Sequence, residues 1–120
     1  MPLKTICIDF DGVIHSYISP FTQPDVIPDP PVPGAFDFIR WCLAQGFRVT
    51  IFSTRNSAGL PAVHALHQWF ERFGFDKVYR LSFPDTKPAA FIYIDDRGFC
   101  FRGQFPTPEY LANFKPWNRT

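Results

Sequence analysis

Three mainly apolar segments stop abruptly at polar residues: 5–8 (TICI) runs into Asp9 and Asp11, 47–52 (FRVTIF) into Ser53, Thr54 and Arg55, and 90–94 (AFIYI) into Asp95 and Asp96. Apolar runs without strict alternation mark strands covered on both faces, as in the middle of a parallel sheet. The intervening residues carry helical spacing instead. Ala35, Phe38, Ile39, Cys42 and Leu43 form one face of a helix over 34–45, which Gly46 stops. Ala62, Val63, Leu66, Trp69, Phe70 and Phe73 form the stripe of a second helix over 60–73, with Pro61 tolerated in its first turn. A short strand over 78–81, a hairpin-like piece around 99–101 and a short helix near 108–114 complete the expected elements. Strands alternating with helices predict βαβ units, hence the α/β class and a parallel sheet with right-handed crossovers.

A chain of 120 residues forms one domain with an adequate core and has no linker long enough to separate two. Its net charge of +1 comes from interspersed charges, so neither a basic face for nucleic acid nor an acidic disordered tail is indicated. Cys7, Cys42 and Cys100 are odd in number and lie in apolar stretches, which predicts reduced, buried thiols and a cytoplasmic protein. Lys4, Asp9 and Asp11 interrupt the apolar core that a signal peptide needs, so none is expected here, and no segment has membrane length. Of the 13 prolines, Pro20, Pro24, Pro28, Pro30, Pro31 and Pro33 fall between the first strand and the first helix. Proline lacks an amide donor, so residues 12–33 are expected to be an extended flap over the end of the first strand.

In a parallel sheet all carboxyl ends point the same way, and ligands bind in the crevice beyond them. Asp9 and Asp11, Ser53 and Thr54, and Asp95 and Asp96 are therefore expected to converge. Four crowded carboxylates raise one another's pKa unless a cation neutralises them. An all-oxygen ligand set suits Mg²⁺, which takes one or two carboxylates, keeps several waters and shares a substrate phosphate. Hydroxyls and amides after the second strand, with Lys87, would hold the other phosphate oxygens. One aspartate of the pair can then attack phosphorus while the other moves protons.

These residues resemble the haloacid dehalogenase superfamily of phosphohydrolases. D9-F-D11-G-V is similar to its first motif, I-F-S53-T-R to its second, K87-P to its third and I-D95-D96-R to its fourth, in the family's order and across residues 4 to about 103. The resemblance implies a three-layer α/β/α sandwich with a Rossmann-like sheet and, at this length, no separate cap domain. It implies Asp9 as nucleophile, Asp11 as general acid/base, Ser53 at the phosphate and Lys87 neutralising the nucleophile and the transferring group. Mg²⁺ would be held by Asp9, the Asp11 backbone carbonyl, and Asp96 with Asp95. The adjacent aspartates of the fourth motif depart from the G-D-x-x-x-D spacing of many relatives and leave the division between Asp95 and Asp96 open. K-P-x-A-x-x-Y-I-D-D-R resembles small capless bacterial and phage proteins and, more loosely, the phosphatase half of polynucleotide kinases. A bulky phosphorylated substrate, such as a nucleic-acid end or a phosphoprotein, is expected in an open site unless homo-oligomerisation supplies a lid, and a nucleotide is a further candidate.

Each motif also has a plainer reading. Asp11-Gly12 is a common turn pair, and Ser53 and Thr54 are good helix caps. Arg55 and Arg97 bind either the substrate or a surface carboxylate. His15 serves substrate or structure, His64 and His67 lie on a solvated flank, and Phe114 and Trp117 cover either the sheet edge or a partner. Two further function classes stay in view. A phospho-aspartate receiver would place its lysine after the last acidic strand end, whereas Lys87 precedes it. A nucleotide-binding module would carry a Gly-rich phosphate loop, which the spacing of Gly12, Gly34 and Gly46 does not make.

Overall fold

The computed structural model describes residues 4–119. Strands β1 (Thr5–Asp9), β2 (Arg48–Phe52), β3 (Leu81–Ser82) and β4 (Ile92–Ile94) form one sheet in the order β3-β2-β1-β4, parallel throughout. Helix α1 (Ala35–Ala44) connects β1 to β2, helix α2 (Leu60–Arg72) connects β2 to β3, and a short helix α3 (Pro108–Asn113) follows β4. The α/β class with an all-parallel sheet is thus present.

Register explains the core. Ile6 and Ile8 align with Val49 and Ile51 and, on the other side, with Ile92 and Ile94. Ile6, Ile8, Val49 and Ile51 share one buried cluster with Ile39, Cys42 and Leu43 of α1 and Leu66, Trp69 and Phe70 of α2. Both helices therefore pack on the same face of the sheet, as two successive right-handed crossovers in one direction require. Cys7 and Thr50, out of phase by one residue, are buried on the opposite face. Residues 83–91 cross to the far edge without a helix, and α3 buries none of its side chains.

Several sequence expectations change. Residues 78–80 make a single 3₁₀ turn, not strand, and only Leu81–Ser82 joins the sheet. Strand β4 shrinks to three residues. It is an edge strand, so its apolar run is not covered on both faces: Ile92 is 48% exposed. No strand forms around 99–101. Phe38, expected in the core, is exposed on the flank of α1. The cysteines are all free among the described residues, but Cys100 is exposed, in a segment without regular structure that packs little of its surface. Among the described residues no helix is long and apolar enough to cross a membrane.

The flap is tied down along its length. Its root is a narrow ribbon in which the Ser16 amide donates to the Pro30 carbonyl (3.0 Å) and the Val32 amide to the Ile14 carbonyl (2.7 Å). Trp69 of α2 donates its indole N–H to the Asp29 carbonyl (2.8 Å). The Asp29 carboxylate accepts from the Ser19 amide and hydroxyl, both at 2.7 Å.

Candidate active site

The carboxyl ends of β1, β2 and β4 meet at a cavity of about 340 Å³ lined by Asp9, Asp11, Ser53, Thr54, Lys87, Asp95 and Asp96, with Cys7, Phe52, Tyr93, Ile94, Arg97 and the flap residue Tyr17. All the expected site residues except Arg55 are therefore in its wall. Asp9 is the last residue of β1, and Phe10 turns fully into the core between the two aspartates. Phe10 packs edge-on against Trp69 and stacks on His15. The residue between the acids is thus an anchor that fixes the direction of both.

Their surroundings differ sharply. Burial raises the Asp9 carboxyl, and a hydrogen bond with the Asp96 carboxyl adds to this, pushing it up to about 7 although the Phe10 amide stabilises the charged form. Two carboxyl groups in hydrogen-bond contact share a proton or a cation. Asp11 is the opposite case. Burial alone would raise it, but hydrogen bonds from His15 and Arg55 together with the charge of Arg55 hold it below the usual carboxylate range. Arg55 grips it with two bonds, Nε to Oδ2 at 2.9 Å and Nη2 to Oδ1 at 3.1 Å. His15 Nδ1 lies 2.8 Å from Oδ1, while its Nε2 accepts from the Asp29 amide at 3.1 Å. With Nε2 accepting, Nδ1 is the donor to Asp11.

The four-carboxylate cluster expected from the sequence is not assembled: among the described residues no three His, Cys, Asp or Glu side chains gather to hold a metal. Asp11 is engaged by Arg55 and His15. Asp95 is a turn residue, its Oδ1 accepting from the amides of Arg97 (2.7 Å) and Gly98 (2.6 Å). What remains is the pair Asp9 and Asp96. Two carboxylates, with waters, are within what Mg²⁺ takes from a protein, and both of these stand in the cavity wall at adjacent strand ends. The residues fit that ion on the chemistry of this pair.

Asp96 is seated by Gly12, which has φ of 83°. A Cβ at Gly12 would overlap the Asp96 carboxylate. Gly12→Ala is therefore expected to destabilise the fold by about 1–2 kcal/mol through the left-handed backbone alone, and to push Asp96 off Asp9. Thermal unfolding checks the first effect, and loss of Mg²⁺-induced stabilisation checks the second.

Arg55 does not line the cavity. It is 2% exposed, its Nη1 donates to the carbonyls of Gln23, Pro24 and Val26 at 3.2, 2.9 and 3.1 Å, and Phe21 lies against its guanidinium. It welds the flap to Asp11. Ser53 does cap the following 3₁₀ turn (Thr54–Ala58), its Oγ accepting from the Arg55 amide at 3.2 Å, and it lines the cavity as well. Lys87 makes no ion pair among the described residues and sits over the Tyr93 ring, 4.4 Å from its centroid. Tyr93 in turn donates its hydroxyl to the Pro88 carbonyl (2.6 Å), so the K-P step is held at the wall by β4. His67 packs on Phe83, away from any metal-binding group.

The sequence reading missed Tyr17, Tyr93 and Asp29 and left His15 undecided. For His15 a signal existed, since its spacing from Asp11 suits a compact turn; for Tyr17 and Asp29 only the folded flap brings them in. No family model matches the chain, and neither the curated proteins nor the solved structures contain a match to it.

Proposed function

We propose that the protein is a Mg²⁺-dependent phosphohydrolase of the haloacid dehalogenase type, working through an aspartyl-phosphate on Asp9 in a minimal α/β domain without a cap. The observation that carries this reading is the carboxyl pair Asp9–Asp96 at adjacent strand ends, facing a cavity whose other walls offer the hydroxyls of Ser53 and Thr54 and the ammonium of Lys87. Asp9 and Asp96, with the Asp11 main-chain carbonyl that the resemblance implies, would hold Mg²⁺. When bound, the ion supplies charge neutralisation for the carboxylates and the phosphoryl oxygens.

In the first step an Asp9 carboxylate oxygen bonds to phosphorus and the ester P–O bond breaks, the departing oxygen taking a proton that Asp11 must first acquire from solvent, since Arg55 and His15 hold it ionised at rest. In the second, water attacks phosphorus, gives its proton to Asp11, and the bond from phosphorus to Asp9 breaks to release inorganic phosphate. The second role matches the resting state, in which Arg55 and His15 hold Asp11 ionised. Lys87, which makes no ion pair among the described residues, would neutralise the transferring group. The exposed β4 edge leaves room for a bulky substrate, such as a nucleotide or a nucleic-acid end. Two buried thiols, Cys7 and Cys42, are in keeping with a cytoplasmic protein.

The test is phosphate release from p-nitrophenyl phosphate, 3′-phosphorylated oligonucleotides, nucleotides and sugar phosphates. Turnover is expected with Mg²⁺ and should fall roughly a thousandfold in EDTA. Equal rates in Mg²⁺ and EDTA would defeat the metal part of the reading. No release from any member of the panel would defeat the hydrolase itself.

A further inference from the structure

We propose that residues 117–119 are a positioning segment that holds the flap root in place, so that Tyr17 stands in the wall of the Asp9 cavity. Three successive side chains each reach a main-chain carbonyl there. Trp117 Nε1 donates to Gly12 (2.7 Å), Asn118 Nδ2 to Ser16 (3.1 Å) and Arg119 Nη2 to Tyr17 (3.0 Å). The Arg119 guanidinium also lies over the Tyr17 ring, 5.2 Å from its centroid, and the His15 ring lies 5.8 Å from that centroid.

These contacts fall where the chain needs holding. Tyr17, with φ of 56°, is the one non-glycine residue with positive φ among the described residues. Left-handed backbone is unfavourable for a bulky side chain and persists where the surroundings over-determine it, characteristically at ligand sites. Here the carbonyl of Tyr17 and the carbonyl before it are both bound by the segment. Gly12, the residue after Asp11, is gripped from two sides, by Trp117 on its carbonyl and by Asp96 at the place of its missing side chain. The same short segment thus touches the turn that carries Asp11 and the strained residue that lines the cavity.

Packing does not explain the approach of this segment. Helix α3, just before it, buries none of its side chains, and Trp117 itself stays 59% exposed while its N–H is engaged. Directed hydrogen bonds, not burial, bring these residues to the flap. Tyr17 is the flap residue that lines the cavity, so the segment sets the wall against which the group attached to the phosphate would lie. This role rests on the phosphohydrolase reading; the contact itself does not.

The experiment separates the two. Amide hydrogen exchange is measured on the wild type, on Trp117→Phe, which removes only the indole donor, and on Arg119→Ala. Exchange over residues 12–17 is expected to quicken about fivefold to tenfold in either variant, the range of one or two lost hydrogen bonds. Exchange within β1 and β2 should stay unchanged, showing an intact core. In the wild-type substrate panel, the best substrate is expected to show a KM raised by a similar factor in both variants, with kcat changed less. Unchanged exchange over 12–17 in both variants overturns the proposal. Faster exchange with unaltered KM also overturns it, reducing the segment to a structural strap. If the wild type releases phosphate from nothing, the phosphohydrolase reading falls, and exchange alone then upholds or overturns the contact with the flap.

Discussion

Asp9→Asn is expected to abolish phosphate release, by at least roughly a thousandfold, and at the same time to raise the melting temperature of the Mg²⁺-free protein at pH 8. The two effects share a cause. Burial first, and the hydrogen bond to Asp96 second, push the Asp9 carboxyl from 3.8 to about 7 in the folded protein. Between those values the folded chain keeps a proton that the unfolded chain has released. Stability therefore falls as pH rises through this window, and the deficit is complete above about pH 7. Asparagine carries no charge to bury and can donate to Asp96, so the variant escapes the deficit. Mg²⁺ acts in the opposite sense. It needs Asp9 deprotonated, so its stabilisation of the wild type should grow from pH 6 to pH 8 and largely vanish in the variant. Thermal unfolding at both pH values, with Mg²⁺ or EDTA, reads all of this. An Asp9→Asn protein less stable than wild type at pH 8 in EDTA would mean that the carboxyl pair is not under strain, and the metal site would lose its physical basis.

The convergence of the strand ends was legible in the sequence because it needs only two inferences, that the strands exist and that they run parallel. Asp9, Ser53 and Asp96 then meet by topology. The choice between Asp95 and Asp96 was not legible, since both follow Ile94 and only the turn geometry decides which carboxylate binds local amides and which reaches Gly12. The choice between the two readings of Arg55 was not legible for a related reason. Its carboxylate partner is 44 residues away, and its other partners are carbonyls of the flap. A physical signal was nevertheless present. A proline-rich flap is short of N–H donors and leaves carbonyls unpaired, so it favours a buried side chain with many donors, and arginine has the most. Strand β3 and the exposure of β4 escaped because an apolar run does not reveal whether its strand lies at the centre or the edge of the sheet.

That surplus of acceptors makes Arg55 the side chain whose loss should most damage the fold. Arg55→Met would leave the half-buried Asp11 with His15 as its one remaining hydrogen-bond partner and remove the donor of three flap carbonyls, a cost of about 3–5 kcal/mol and a fall in melting temperature of at least about 10 °C. Arg55→Lys keeps the charge but not the fork that binds both Asp11 oxygens and the flap together, so it should recover only a minor part of that loss. Arg97→Ala is the comparison. Arg97 is exposed and its side chain makes no ion pair among the described residues, so its removal should shift stability by no more than about 0.5 kcal/mol. The decisive measurement is the double change Asp11→Asn with Arg55→Met. If the large cost arises from an uncompensated buried charge, removing that charge as well should make the double variant more stable than the sum of the single ones predicts, by about 1–3 kcal/mol. Simple additivity would instead assign the damage to the flap carbonyls. In that case Arg55 would be a fastener of the flap, and the orientation of Asp11 would rest on His15 alone.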